Sequence, residues 1–454
     1  MTTRRKLGRR EFLQGLGAGG LALAGLTGCG SGGVTSVGRT IGAVPPKPIP
    51  AAPILVVLNI DGGYDWLNVM PPMDGANRTA YLAKRPVLGI QTSAMTAIGS
   101  GVGLNNDLTG MWDLHALGRV AWIPGIGMNN PNLSHFVSID LWGQGAATPN
   151  GTGWLGRFAD QSFSASDALR GLTVTSDLPT MLRGATRSFV SITGSSGYVY
   201  PSYLRSSSLG SPYVAADVSL LKAQFGNAVG STTADAPSQP GYAAAASSGK
   251  AFLDATARFG SNLTARTPTV LYPGDGGYPV GRLGGGGLSG GLSSQLKFIA
   301  QMIANDLPVE VYFCRLGGWD THSNQAVDHP NLQRTLGGSL SAFYQDLASI
   351  QTASGNAQDR VMVAAYSEFG RRVQENDGGT DHGTAGLSFC MGAAVQGGFY
   401  GAYPDLNDLD GNGNMKYTVD FRSLYATVLD RWLGQPASTT DALLGTSYPR
   451  LGFL

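Results

Sequence analysis

The chain has 454 residues, enough for one large hydrophobic core, and α/β architectures of this size often form a single domain. Its net charge is +1 with 13% charged residues, which excludes nucleic-acid binding driven by a basic surface. Three cysteines (Cys29, Cys314, Cys390) are too few for a disulfide scaffold, and 67 glycines point to long irregular loops.

The N-terminus reads as an export segment. Gly8-Arg9-Arg10-Glu-Phe12-Leu13 has the paired arginines followed by Phe-Leu that twin-arginine signals show, and the glycine-diluted apolar stretch 16–26 is too short for a membrane span. Leu26-Thr-Gly-Cys29 reads as a lipobox with Cys29 acylated; the alternatives are an ordinary small-residue cleavage site and a chance Cys. Residues 1–29 are therefore expected to be a signal recognised by the twin-arginine translocase. The folded part is expected in the periplasm or cell envelope, held to a membrane if Cys29 is acylated. Residues 30–52, rich in Gly, Ser and Pro, read as a tether.

One folded domain is expected over 53–454. Residues 54–60 form a continuous apolar, β-prone run, the mark of a strand covered on both faces, and runs at 120–123, 309–314, 361–365 and 387–391 repeat it. Between them, Leu292, Leu296, Ile299, Met302 and Ile303 share a helical face. Leu332, Leu336, Leu340, Phe343, Leu347 and Ile350 share another, and Leu424, Val428, Leu429, Trp432 and Leu433 a third. Strands alternating with helices predict an α/β fold, its central sheet mostly parallel and flanked by helices on both faces. The stretch 205–290, dominated by Ser, Gly and Ala, reads as an insertion.

Polar residues gather just after the apolar runs, in Asp61-Gly-Gly-Tyr-Asp65, Arg315-Leu-Gly-Gly-Trp-Asp320-Thr-His322, Ser367-Glu368-Phe-Gly-Arg371 and Gly379-Thr-Asp381-His382-Gly383. In open α/β sheets the ligand crevice lies outside the carboxyl ends of the strands. These loops should bring Asp61, Asp65, Asp320, His322, Glu368, Asp381 and His382 to one rim. Asp and neutral His are ligands for a divalent cation such as zinc or manganese, and crowded carboxylates need a cation to stay ionised together. A single Asp-x-His is more often a turn with a capping Asp.

Other residues read more plainly. His115 sits in a helix-like segment and His329, before Pro330, in a loop. Ser134 precedes His135 and a helix-like segment to Trp142; it reads as a helix cap, or as a hydroxyl activated beside a metal. Cys314 and Cys390 read as buried thiols, with pairing the alternative if their strands are neighbours. The segment 408–414 resembles a calcium loop with Val419 at its terminal Glu position, and reads as a surface turn.

As a set, Asp61-Gly-Gly-Tyr-Asp65-Trp-Leu-Asn68, Ser134-His-Phe136, Asp140-Leu-Trp142, Gly153-Trp-Leu-Gly-Arg157, Gly317-Gly-Trp-Asp320-Thr-His322, Ser367-Glu-Phe-Gly-Arg371, Gly379-Thr-Asp381-His-Gly383 and Trp432-Leu-Gly434 resemble the bacterial family called domain of unknown function 1501. The resemblance runs from about residue 53 to the end. It implies twin-arginine export and the alkaline phosphatase-like core shared with sulfatase-like proteins. It further implies one metal held by Asp61, Asp381 and His382, a second held by Asp320 and His322, and Ser134 as nucleophile. Asp320-x-His322 is spaced more closely than the superfamily's second-site pair, no His follows His382, and no Cys sits near residue 134. The implied activity is metal-dependent hydrolysis of a phosphate or sulfate ester, small-molecule or polymer, using zinc, manganese or calcium. Glu368 or His135 would act as acid or base, or support the site. The alternative is a catalytically inactive protein of the same fold, serving as an exported binding or envelope component.

Overall fold

The computed structural model describes residues 47–146, 148–164, 169–187, 189–193, 263–276 and 291–454. Arg9, Arg10, Cys29 and all of the stretch 205–290 except 263–276 lie outside the described residues.

Among the described residues nine strands form one sheet. In chain order they are β1 (Ile54–Ile60), β2 (Val120–Gly127), β3 (Gly171–Thr173), β4 (Val190–Ser191), β5 (Val311–Leu316), β6 (Val361–Tyr366), β7 (Gly386–Gly392), β8 (Gly398–Phe399) and β9 (Val419–Asp420). The spatial order is β8-β2-β7-β6-β1-β5-β3-β4, with β9 also pairing β2. Only β7 runs against its neighbours, so the sheet is mostly parallel, as the alternation of runs predicts.

Strand β1 shows why the chain folds this way. All its residues are buried, and successive side chains point to opposite faces. Ile54, Val56, Leu58 and Ile60 enter one core with Leu292, Leu296 and Ile299 of the helix Gly291–Ala304, and Leu336, Leu340 and Phe343 of the helix Gln325–Leu347. Leu55 and Val57 enter a second core with Trp154 and Phe158 of the helix Trp154–Ser162. Phe421 and Leu424 of Phe421–Thr427 and Leu443 of Ala437–Leu444 complete that face. Each such side chain contributes roughly 1.5–3 kcal/mol on leaving water, so neither face can be bared cheaply. The periodicity predicts the helices Gly291–Ala304 and Gln325–Leu347 and the segment beginning with Phe421–Thr427, but not Trp154–Ser162 or Ala437–Leu444. Among the described residues no helix is long and apolar enough to cross a membrane.

Three local readings are settled here. Cys314 and Cys390 are free, buried thiols; they sit on β5 and β7 with β1 and β6 between them, so they cannot pair. His329 is not in a loop. It lies inside the helix Gln325–Leu347, which runs through Pro330. The ring nitrogen Pro330 cannot donate, yet the buried stripe from Leu336 to Leu347 outweighs the lost bond. Within 408–414, Asp410 Oδ1 accepts the N–H groups of Asn412 and Asn414, both at 2.8 Å, as a self-satisfied turn would.

Because β1, β2, β5 and β6 are mutually parallel, their carboxyl ends open on one edge. Asp61, the loop after Gly127, the loop after Leu316 and Ser367-Glu368 all start there.

Candidate metal centre

Asp320 is the hub of this edge. Its Oδ1 lies 2.5 Å from Arg371 Nη2, 2.8 Å from His322 Nδ1 and 3.1 Å from His382 Nε2, and its Oδ2 lies 3.4 Å from His135 Nε2. Burial would raise its pKa, yet the hydrogen bond from Arg371 and the Arg371 charge hold it at about 2. It is a carboxylate at any physiological pH.

The loops meet closely enough to demand glycine. Gly62 adopts φ +124°, and a Cβ there would lie 2.5 Å from the Asp320 nitrogen. Behind them, the buried Arg371 guanidinium donates to Gly63 O and Gly62 O, both at 2.5 Å, and to Thr380 O at 2.6 Å. It therefore ties three loops to Asp320. Sequence reasoning quoted Arg371 only as part of a motif; a charged residue one turn from a strand end gives no sign that it will be swallowed by carbonyls.

The hairpin Gly370–Glu375 with Thr380–Gly383 pairs Arg371 with His382 across its strands. Alternate residues of a strand face opposite ways, so His382 points at Asp320 and Asp381 points away. Asp381 is exposed and accepts from Asn376 Nδ2 at 2.9 Å. It does not join the group.

The proton positions on the two central imidazoles follow from their partners. His382 Nδ1 stands 2.7 Å from the Leu133 carbonyl, which only accepts, so Nδ1 carries the hydrogen. Burial lowers the His382 pKa, favouring the neutral ring, and its Nε2 then turns a lone pair toward Asp320. His135 Nδ1 donates to Glu368 Oε1 at 2.7 Å, and its buried Nε2 has no hydrogen-bond partner. The hydrogen bond to Glu368 raises the His135 pKa and makes the ring a stronger base. Glu368, buried, also accepts Gly62 N–H at 2.9 Å. Two imidazole nitrogens and one carboxylate thus converge, and a divalent ion would take the place of any proton held between them. Ligand atoms of His135, Asp320 and His382 all lie within 4.8 Å of one another, the one such group of three among the described residues. Zinc–nitrogen bonds of roughly 2.0–2.1 Å at tetrahedral angles would set donors about 3.4 Å apart, so the donor set fits a divalent ion with a modest contraction. Carboxylate-backed imidazole is the usual support of such ligands.

The other expected residues lie around this group. His322 is exposed and touches Asp320, a fourth donor at the rim. Asp61 lies 3.8 Å from Arg315 Nε at the same rim; burial and the Glu368 charge raise its pKa. Ser134 is exposed at the N-cap of the helix His135–Gln144 and makes no side-chain cap bond. Asp65, expected at the rim, is instead fully buried against Arg85, with contacts of 2.5 and 2.9 Å, and takes Gln325 Nε2 at 2.5 Å. That Gln325 accepts from Thr321 and Thr380, bracing the loops that carry Asp320 and His382. His115 is structural, its ring held between Ile98 O and Trp122 Nε1.

Residues 298–450 match the model of one family, described as Protein of unknown function (DUF1501). The match holds Asp320, His322, Glu368, Arg371, Asp381 and His382, but not Asp61, Ser134 or His135. A protein in the alkaline phosphatase superfamily from Vibrio parahaemolyticus aligns over 88% of this chain and 74% of its own, with 8% identity and a TM-score of 0.33. No curated protein matches the sequence.

Proposed function

We propose that the chain is an exported, metal-dependent hydrolase of a phosphate or sulfate ester. The observation that carries this is the convergence of the His135 and His382 Nε2 atoms on the ionised Asp320 carboxylate. Two nitrogen donors favour zinc or manganese over calcium, which prefers oxygen ligands. A bound divalent ion would supply Lewis-acid polarisation of the ester oxygen. The chain's own residues do the rest. Glu368 fixes the His135 tautomer, the Leu133 carbonyl fixes that of His382, and Arg371 keeps Asp320 ionised and aimed. Asp61, a carboxyl at the same rim, is the candidate to pass a proton to the leaving alcohol.

Elemental analysis of protein purified from its native compartment should find about one zinc or manganese per group of three ligands. Hydrolysis of p-nitrophenyl phosphate or p-nitrophenyl sulfate should stop on chelation. Protein with no bound metal, and no thermal shift on adding zinc or manganese, would sink the reading. The second reading, a metal-holding binding or envelope component, is favoured by Asp381, an implied ligand, being exposed and bonded to Asn376 instead; it predicts metal without turnover.

A further inference from the structure

Beside the metal group lies a second feature that the proposed chemistry does not use. A cleft of about 740 Å³ opens between the loop 128–133 and the segment 410–417. Leu133, whose carbonyl holds His382, forms part of its wall, as does Thr384, two residues after His382. The cleft and the metal group therefore share the loop that carries Leu133 and the strand that carries His382.

The cleft's chemistry is neutral and amide-rich. Asn129, Asn130, Asn412 and Asn414 line it, each able to donate and accept at once. Asn414 is 3% exposed, and its Oδ1 has no partner. The two charged groups in the lining each have a partner: Lys416 pairs with Asp408 at 2.5 Å, and Asp410 takes its own loop's N–H groups. Amides outnumber the single lining cation, and vicinal hydroxyls match a row of amides.

An aromatic ring completes the pattern. Tyr417 is 38% exposed on the cleft wall. Its backbone is held in place: a Cβ at Gly127 would lie 2.8 Å from Tyr417 Cβ, and Thr418 N–H donates to Gly125 O at 2.7 Å. An exposed ring offers a flat apolar face to the C–H side of a sugar, while neighbouring amides take its hydroxyls. We propose that this cleft binds carbohydrate, so that the alcohol part of the ester is a glycan. The inference rests on the hydrolase reading for its second clause only.

The test uses an array of neutral and sulfated oligosaccharides, probed with full-length protein both metal-loaded and metal-stripped. Both forms should retain at least one glycan series. Tyr417→Ala and the double variant Asn130→Ala/Asn412→Ala should each weaken retention at least tenfold, with metal content unchanged. His382→Ala should lose metal yet keep glycan binding. No glycan retained by the wild type, retention of peptides instead, or retention unchanged in both cleft variants would overturn the proposal. Glycan binding without hydrolysis of any phosphate or sulfate ester would remove the hydrolase reading and leave the cleft. Hydrolysis of p-nitrophenyl esters without glycan binding would do the reverse.

Discussion

Exchanging Glu368 for glutamine separates charge from shape at the least exposed acid of the site. Glu368 is 1% exposed; Oε1 accepts Gly62 N–H at 2.9 Å and His135 Nδ1–H at 2.7 Å, and Oε2 accepts Ser367 Oγ at 3.1 Å. A glutamine oxygen in the Oε1 position keeps the first two bonds. Its NH2 then meets the Ser367 hydroxyl, which can rotate to accept. The shape survives and the negative charge is lost. Partners of this kind are worth roughly 10–100-fold in metal affinity, which at 1.36 kcal/mol per tenfold is about 1.4–2.7 kcal/mol. Glu368→Ala differs in kind, because all three donors lose their acceptor, at about 1–3 kcal/mol for each one left buried. Competition against a chelator of known affinity reads the first effect, and denaturant melts read the second. The expected pattern is a Gln variant with near wild-type stability and at least tenfold weaker metal binding. A Gln variant that binds metal within about twofold of wild type would refute the role given to the Glu368–His135 pair.

Three further outcomes follow from the geometry. Asp320→Ala should lose metal, whereas Asp381→Ala, which faces away, should keep it by elemental analysis; the reverse result would restore the ligand role that the resemblance implies for Asp381. Asp65→Ala leaves the buried Arg85 charge unpaired and should lower unfolding free energy by about 3–5 kcal/mol in a denaturant titration, while Asp61→Ala should not. Burial pushes His329 down to about 4, below its usual value near 6.5. The unfolded chain therefore binds the extra proton between these limits. Stability from this group is complete above about pH 6.5, falls as pH drops, and is lost by about pH 4, at most about 3 kcal/mol. His329→Gln should flatten that limb of a stability–pH curve; an unchanged slope would remove His329 as its source.

Much of this could be read from residue order alone. Continuous apolar runs mark strands buried on both faces, and a helical stripe such as Leu292 to Ile303 has one solution on such a sheet. That logic set the layers, the parallel sheet and the edge where polar loops gather. It could not tell Asp61 from Asp65, because one residue of loop path decides between the rim and the Arg85 pocket. It placed His329 in a loop because His-Pro is a local breaker, and local preference lost to the buried face of a long helix.

The same division holds at the metal group. Sequence alone determined that Asp320, Glu368 and His382 would stand near strand ends, since a buried strand must end at the surface and polar residues follow it. Only the tertiary structure decided which atoms converge. The two-residue period of a hairpin strand sends His382 inward and Asp381 out, and the cross-strand register sets Arg371 beside His382. His135 arrives from a different strand end, and a buried carboxylate far away in sequence fixes its proton. Those are relations between separate segments, fixed by packing and hydrogen-bond geometry, and no stretch of the chain encodes them by itself.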